Sequence, residues 1–297
     1  MHTKVKIILN PAAGRVSPEK YWPEIQKFLE KHHVEYNLEK TTARGEGTKI
    51  AKKAVAEGYK TVLAVGGDGT ANEVVNGLLG SDVAFGIIPC GEGNDFCKLL
   101  GFPPGGVKEA LTAVIKKHTL HIDLGMVNGR AFLNMVGIGL DGEIAALKDE
   151  ASKYMKGILV YAFHLLPMVM GYKPQPLDVE MSGLFTKGPI ALIGIGNGCY
   201  EGGIFKLTPD AELDDGLLDV CIARYPGKLM TLWAAFKAIK GNHKDLPFVT
   251  MFKTEKITIT AEKPLPAHID GEVIREKKLE IKVLPKQLKI FTRYKKL

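Results

Sequence analysis

The sequence predicts a two-domain chain of α/β plus all-β class, an α/β unit followed by a region that is mostly strand. Three observations carry this. Over the first third, short apolar runs alternate with helical periodicity, the pattern of parallel α/β units. Near Leu120 that alternation gives way to a hairpin signal and a series of short strand-like runs. The 297 residues, 45% of them apolar, suffice to bury the cores of about two domains.

The elements follow in order. Residues 5–9 form the first strand. Residues 18–33 form a helix with Trp22, Ile25, Phe28 and Leu29 on one face, Ser17 as N-cap and Pro18 at the first helical position, where a missing N–H costs nothing. A second helix spans about 47–57. The strand 61–65 ends in Gly66-Gly67, residues 70–79 return as helix, and 85–89 form another buried strand, giving the order β-α-β-α-β-α-β. Asn128-Gly129, between the strands 124–127 and 132–136, is a two-residue hairpin signal. Further strands are expected at 177–181, 190–195, 217–223, 256–261 and 279–284, separated by Gly, Pro, Asn and Asp. Two helices interrupt them, near 152–170 and 228–240. The expected domains are residues 1–122 with a returning segment 285–297, whose strand is 288–292, and residues 123–284.

Composition narrows the function class. Lys and Arg number 40 against 33 Asp and Glu, a formal charge of +7, so the surface attracts anions such as nucleotide phosphates, nucleic acid or acidic lipid headgroups. No RNP, KH or helix-turn-helix pattern is present and the charge is distributed rather than striped, which speaks against nucleic acid. Cys90, Cys97, Cys199 and Cys221 show no C-x-x-C spacing and no His/Cys cluster suited to zinc, so a reduced cytoplasmic compartment is expected. The apolar run at residues 5–9 is broken by Lys6 and too short for a signal peptide. No segment reaches the roughly 18 to 20 uninterrupted apolar residues of a spanning helix.

Chemistry gathers in polar loops. Gly66-Gly67-Asp68-Gly69-Thr70-Ala71-Asn72-Glu73 lies at a strand-to-helix junction, where glycines let backbone N–H groups approach a phosphate and the helix dipole adds positive charge. Asp68 beside phosphates needs a divalent cation between them, and Mg²⁺ binds through carboxylates plus phosphate oxygens. The same residues also read as a turn whose Asp68 and Thr70 cap the helix. Asn10-Pro11-Ala12-Ala13-Gly14-Arg15 and Pro89-Cys90-Gly91-Glu92-Gly93-Asn94-Asp95-Phe96 follow two other strands, and ligands of open α/β sheets sit at those carboxyl ends. Neither a Walker loop nor G-x-G-x-x-G occurs. Asp270, before Gly271, reads either as an Asp-Gly hairpin turn or as the carboxylate that takes a proton from an acceptor hydroxyl. Asp214-Asp215-Gly216 reads as a turn or as a metal ligand set.

Together, the loop Asn10 to Gly14, the run Gly66 to Glu73, the run Gly91 to Phe96, the segment Pro209-Asp210-Ala211-Glu212-Leu213-Asp214-Asp215-Gly216, and Asp270-Gly271-Glu272 resemble the diacylglycerol-kinase catalytic family, of the soluble bacterial lipid kinase type. The resemblance covers about residues 4–291. It implies an N-terminal nucleotide-binding three-layer α/β domain and a C-terminal β-sandwich-like domain with an active-site cleft between them. It further implies an ATP-dependent, Mg²⁺-requiring kinase whose acceptor is a lipid hydroxyl, diacylglycerol giving phosphatidic acid first among them. Nucleotide-binding positions fall on Asn10, Pro11, Ala12, Ala13 and Gly14, on Thr41, on Gly66 to Glu73, on Glu92 and on Glu272; the catalytic base falls on Asp270. A structural Mg²⁺ falls to Glu212, Asp215 and the main chain of Leu217, and Asp68, Asp95 and Asp123 match the acidic network that positions metal and water. The sequence departs from the family in the third loop, where Glu92 stands for a threonine and Cys97 for an alanine.

Two segments are candidate lipid contacts. Residues 153–172 hold a broken apolar run behind Lys148, Lys153 and Lys156, suited to an interface or an acyl cleft; residues 229–239, with Lys228, Lys237, Lys240 and Lys244, read as ordinary packing with a solvated face. The competing readings are an NAD kinase-like phosphotransferase, which shares Gly-Gly-Asp-Gly-Thr, and a non-catalytic nucleotide-sensing protein of the membrane surface. The expected partner is a lipid at a membrane surface, the expected place the cytoplasm or the inner face of the membrane, and an edge-strand homodimer is compatible with the sequence.

Overall fold

The computed structural model describes residues 4–14, 16–151, 166–181 and 184–293. The chain divides into two units, residues 1–124 with 284–297 and residues 125–283.

The first unit holds the parallel strands β1 (Val5–Leu9), β2 (Tyr36–Lys40), β3 (Thr61–Gly66) and β4 (Ala84–Pro89). Every residue of β1, β3 and β4 is buried, as in parallel strands covered on both faces. Lys6 interrupts the apolar run of β1 yet stays buried, because its ammonium meets Glu39 and, at 2.7 Å, the Asn37 side chain of β2. The strand β2, at the sheet edge, is half exposed and carries no apolar run. Five helices accompany the strands: α1 (Trp22–Lys31), α2 (Glu46–Ala56), α3 (Asp68–Leu78), α4 (Asp95–Leu99) and α5 (Val107–Lys116). The helix expected over 18–33 is split, a 3-10 turn at Pro18–Lys20 with Ser17 Oγ accepting the Glu19 N–H at 3.3 Å leading into α1. α2 packs on α3 at Gly77, where a Cβ would fall 2.5 Å from both Ala51 Cβ and the Thr48 carbonyl oxygen. The strand order β2-β1-β3-β4 reverses direction between β1 and β3, which places the ligand crevice at their carboxyl ends.

β5 (Thr119–Val127) carries the chain into the second unit and turns through Asn128-Gly129 into β6 (Arg130–Phe132). Both turn residues have positive φ, 47° and 84°, as a type I′ hairpin requires. There follow β7 (Met135–Gly139), α6 (Leu140–Ala151), β8 (Pro176–Met181), β9 (Leu184–Gly196), the short pair β10 (Tyr200–Glu201) and β11 (Phe205–Lys206), β12 (Leu218–Arg224), α7 (Lys228–Ala238), β13 (Val249–Thr254), β14 (Lys256–Ile269) and β15 (Glu272–Phe291). The antiparallel order is β13-β12-β9-β7-β14-β15, and β8 lies end to end with β7 in one lane between β9 and β14. Alternate residues, Ile257 and Ile259 of β14, Leu279 and Ile281 of β15, Ile193 and Ile195 of β9, enter one hydrophobic core.

The strands expected at 279–284 and 288–292 form one 20-residue strand, β15, whose end adds in parallel to β4 of the first unit with Ile290 opposite Phe85. The helix expected at 152–170 lies outside the described residues up to 165; residues 166–171 are helical.

Candidate active site

The loops leaving β1, β3 and β4 pack backbone to backbone. A Cβ on Gly14, whose φ is +68°, would fall 2.5 Å from the Cys90 carbonyl oxygen, and one on Gly91 would fall 2.4 Å from Gly67 Cα. Only glycine fits at these junctions. Asn10 ties two of the loops together, its Nδ2 donating to Thr70 Oγ1 at 3.0 Å while its Oδ1 accepts the Ala12 N–H at 3.0 Å. The Thr41 N–H donates to the Leu9 carbonyl at 2.9 Å, so Thr41 stands at the end of β1. A Cβ on Gly69 would meet nothing within 4 Å, so α3 is open to solvent at this position of its first turn, while Thr70 and Ala71 beside it are buried. There the N–H groups and the dipole of a helix N-terminus favour an anion.

The acidic residues of this unit are engaged differently from a bare ligand set. α3 begins at Asp68, two residues ahead of the expected start at Thr70, and the Asp68 carboxylate accepts the N–H groups of Asp95 at 3.0 Å and Phe96 at 3.2 Å, capping α4. Glu73 accepts the N–H groups of Gly45 at 2.8 Å and Gly47 at 3.0 Å, which fixes the start of α2. Asp95 pairs with Lys98 at 2.7 Å, and buried Asp123 accepts the Lys286 N–H at 2.7 Å. Glu92 is exposed in the loop before α4.

In the second unit Asp270 and Gly271 form the turn between β14 and β15, with φ of 47° and 85° and Ile269 opposite Glu272. The Asp270 carboxylate accepts three successive backbone N–H groups, Leu133 at 2.8 Å, Asn134 at 3.0 Å and Met135 at 2.9 Å, and its own N–H donates to the Met135 carbonyl at 2.9 Å. The structure shows the hairpin reading of Asp-Gly, with the carboxylate of the turn fixed in position by the backbone that leads into β7. Glu272, expected at the nucleotide, forms an ion pair with Arg130 of β6.

Beside this turn lies a group that the sequence did not indicate. Fully buried His268 of β14 places Nε2 3.1 Å from Asp141 of α6 and 3.7 Å from Glu201 of β10, while its Nδ1 accepts the Gly271 N–H at 3.2 Å. Gly137 makes room for it, since a Cβ there would fall 2.0 Å from Asp141 Oδ2 and 2.3 Å from His268 Nε2. Burial alone lowers the imidazole, but the carboxylates of Glu201 and Asp141 outweigh it and push His268 up to about 9. Among the described residues this trio is the one place where three such ligand atoms lie within 4.8 Å. Asp141 and Glu201 also form part of the wall of a cavity of about 90 Å³, open to solvent and otherwise lined largely by apolar side chains such as Leu192, Phe205, Ala234 and Ala238.

The residues expected to hold structural Mg²⁺ lie in the segment just before β12. Asp215 Oδ1 accepts the Leu217 N–H at 3.0 Å, and Asp215 Oδ2 accepts from Lys253 Nζ at 2.6 Å. Asp219 lies 3.6 Å from the same ammonium, with Oδ2 buried and without a hydrogen bond, and burial pushes its carboxyl up to about 6 against the pull of Lys253. Glu212 acts on the same ammonium. Asp215 and Asp219 thus gather hard carboxylate oxygens, one of them without a hydrogen bond, which is the donor type Mg²⁺ takes, and in this structure the Lys253 ammonium supplies the positive charge among them.

Comparison with known proteins bears on the family of the whole chain. Residues 4–127 match the family described as diacylglycerol kinase catalytic domain, and residues 134–292 match the YegS C-terminal NAD kinase beta sandwich-like domain. Diacylglycerol kinase of Bacillus subtilis strain 168 is 31% identical over 271 residues, 91% of this chain and 89% of that protein. Diacylglycerol kinase of Staphylococcus carnosus strain TM300 is 31% identical over 279 residues, 92% and 89% of the two chains. A crystal structure of a putative diacylglycerol kinase from Bacillus anthracis strain Sterne superposes with a TM-score of 0.84 at 28% identity, covering 98% of this chain and 95% of that one.

Proposed function

The chain belongs to the diacylglycerol kinase family, and from that premise we propose that it transfers the γ-phosphate of ATP to the free hydroxyl of diacylglycerol, giving phosphatidic acid. As a member it is a lipid kinase, a phosphotransferase with an alcohol acceptor.

The observation that carries the acceptor reading is the cavity of the second unit. Its walls are largely apolar, its carboxylates Asp141 and Glu201 hold His268, and His268 holds the turn of Asp270. A hydrocarbon chain matches such walls, with its polar head at the carboxylates; a dinucleotide does not, which weighs against NAD as acceptor. Asp270 takes the hydroxyl proton as the acceptor oxygen bonds to the γ-phosphorus and the bond to the β-bridging oxygen breaks, releasing ADP. In the first unit, Asn10, Pro11, Ala12, Ala13, Gly14, Thr41 and the run Gly66 to Asn72 take the nucleotide, its phosphates resting on the open first turn of α3. Mg²⁺, when bound, would supply positive charge against the phosphates, and Glu212, Asp215 and the Leu217 carbonyl are the residues that would hold one such ion in the second unit. Because the acceptor is insoluble, the enzyme works at a membrane surface, and no helix among the described residues is long and apolar enough to cross one.

The test is ATP labelled at the γ-phosphate, offered with diacylglycerol, a polyprenol, a sphingoid base, phosphatidylglycerol and NAD in mixed micelles. Labelled phosphatidic acid is the expected product. Label appearing only in NADP, or in no acceptor, overturns the assignment.

A further inference from the structure

Eight large apolar side chains are exposed among the described residues, and four of them stand on α7: Leu229 at 78%, Met230 at 40%, Trp233 at 45% and Phe236 at 76%. Positions 229, 230, 233 and 236 share one face of a helix. The opposite face carries Thr231, Ala234, Ala235 and Ala238, which line the apolar cavity. A helix packed only for stability buries its large residues and exposes small or polar ones; α7 does the reverse. Its charge is also one-sided, since residues 228–241 contain Lys228, Lys237 and Lys240 and no acid. Lys237 Nζ lies 5.1 Å from the centroid of the Trp233 ring, the kind of contact that keeps an ammonium beside an aromatic at a wet boundary.

We propose that α7 is the membrane-docking element of this protein, lying in the plane of an anionic bilayer surface. Leu229, Trp233 and Phe236 enter the boundary between headgroups and acyl chains, and Lys228 and Lys240 meet lipid phosphates. The occupant is a bilayer rather than a second copy of the chain, because two such faces brought together would oppose three lysines to three. The proposal deepens the lipid-kinase reading, on which its purpose rests, and it gives the inner face of the same helix a role: a chain leaving the bilayer at α7 has the cavity directly behind it.

The sequence has two tryptophans, so Trp22→Phe leaves Trp233 as the sole tryptophan, excited selectively at the red edge of the aromatic absorption band. With phosphatidylglycerol vesicles carrying brominated acyl chains, Trp233 emission should shift to the blue and be quenched, and raised salt should weaken the effect. Leu229→Glu/Phe236→Glu should lower partitioning onto those vesicles by at least about tenfold, with the melting curve and transfer to a dispersed short-chain diacylglycerol unchanged. If that variant fails to fold, Lys228→Gln/Lys240→Gln answers the same question through the charge, again by reduced partitioning. The proposal is overturned by absence of quenching, by variants that bind vesicles as the parent does, by equal binding to phosphatidylcholine, or by concentration-dependent self-association that the Glu variant abolishes. Quenching is read without turnover, so vesicle binding with no lipid phosphorylated would sink the kinase reading alone.

Discussion

His268 and Gly271 are joined side chain to backbone: the imidazole Nδ1 accepts the Gly271 N–H, so a residue two places ahead of Asp270 holds the far half of the turn on which Asp270 stands. That acceptor role requires an unprotonated Nδ1, whereas Asp141 and Glu201 at the other nitrogen favour a charged ring. The turn is therefore set by a balance of two carboxylates against one backbone N–H.

The pH dependence of that balance has a definite sign. His268 is raised from 6.5 to about 9, so the stability its charge contributes is complete below 6.5 and is lost as pH rises through about 9. Denaturant titrations of parent and His268→Gln should differ more at pH 6 than at pH 9.5. An equal difference at both, or an imidazole titrating at or below 6.5 by NMR, would contradict the arrangement.

Asp270→Asn should reduce turnover on the order of 10²-fold or more with ATP affinity retained. The structure adds a second effect, since one carboxylate oxygen becomes an NH₂ facing a backbone N–H, at a cost of about 1–3 kcal/mol in stability. Single-turnover kinetics well below the melting temperature separate the two. Parental transfer rates in the folded variant would leave Asp270 as a turn residue.

Gly69→Ala should separate stability from binding in the opposite sense. The position is helical, its φ is not positive and a Cβ there meets no atom, so alanine should stabilise α3 by up to about 1 kcal/mol. The same methyl fills the space over the helix N-terminus and should weaken ATP binding about tenfold or more. Calorimetry showing both rising or both unchanged would place the phosphates elsewhere.

If Mg²⁺ is held at Glu212, Asp215 and the Leu217 carbonyl, millimolar Mg²⁺ should raise the melting temperature of the parent and EDTA should reverse it. Asp215→Ala should abolish that response. A melting temperature indifferent to both additions in the parent removes the site.

How much of this could be read in the sequence depended on distance along the chain. The glycine loops are legible because the close backbone approach of Gly14 and Gly91 demands glycine at both positions. β2 and β13, both edge strands with half-exposed faces, carry no apolar run to find. His268, Asp141 and Glu201 come from β14, α6 and β10, and no local spacing announces a contact among residues so far apart. At α7 the composition was visible but the orientation was not. The sequence suggests a packed helix with a solvated face; in the structure the small residues turn inward and the large ones outward, because a cavity rather than a core lies beneath. Asp68 and Glu73 were found as carboxylates beside glycine loops, but their use as caps for α4 and α2 depends on chain packing that no motif encodes.

The course of β15 bears on how the protein is made. The last residues of this strand complete the sheet of the first unit against β4, so a ribosome finishes β4 about two hundred residues before its neighbour exists. At about 20 residues per second this is an interval on the order of ten seconds, during which one edge of a buried, wholly apolar strand is uncovered. A nascent or prematurely terminated chain is thus a natural client for chaperones or aggregates, and C-terminal truncation should be felt first at the opposite end of the gene product.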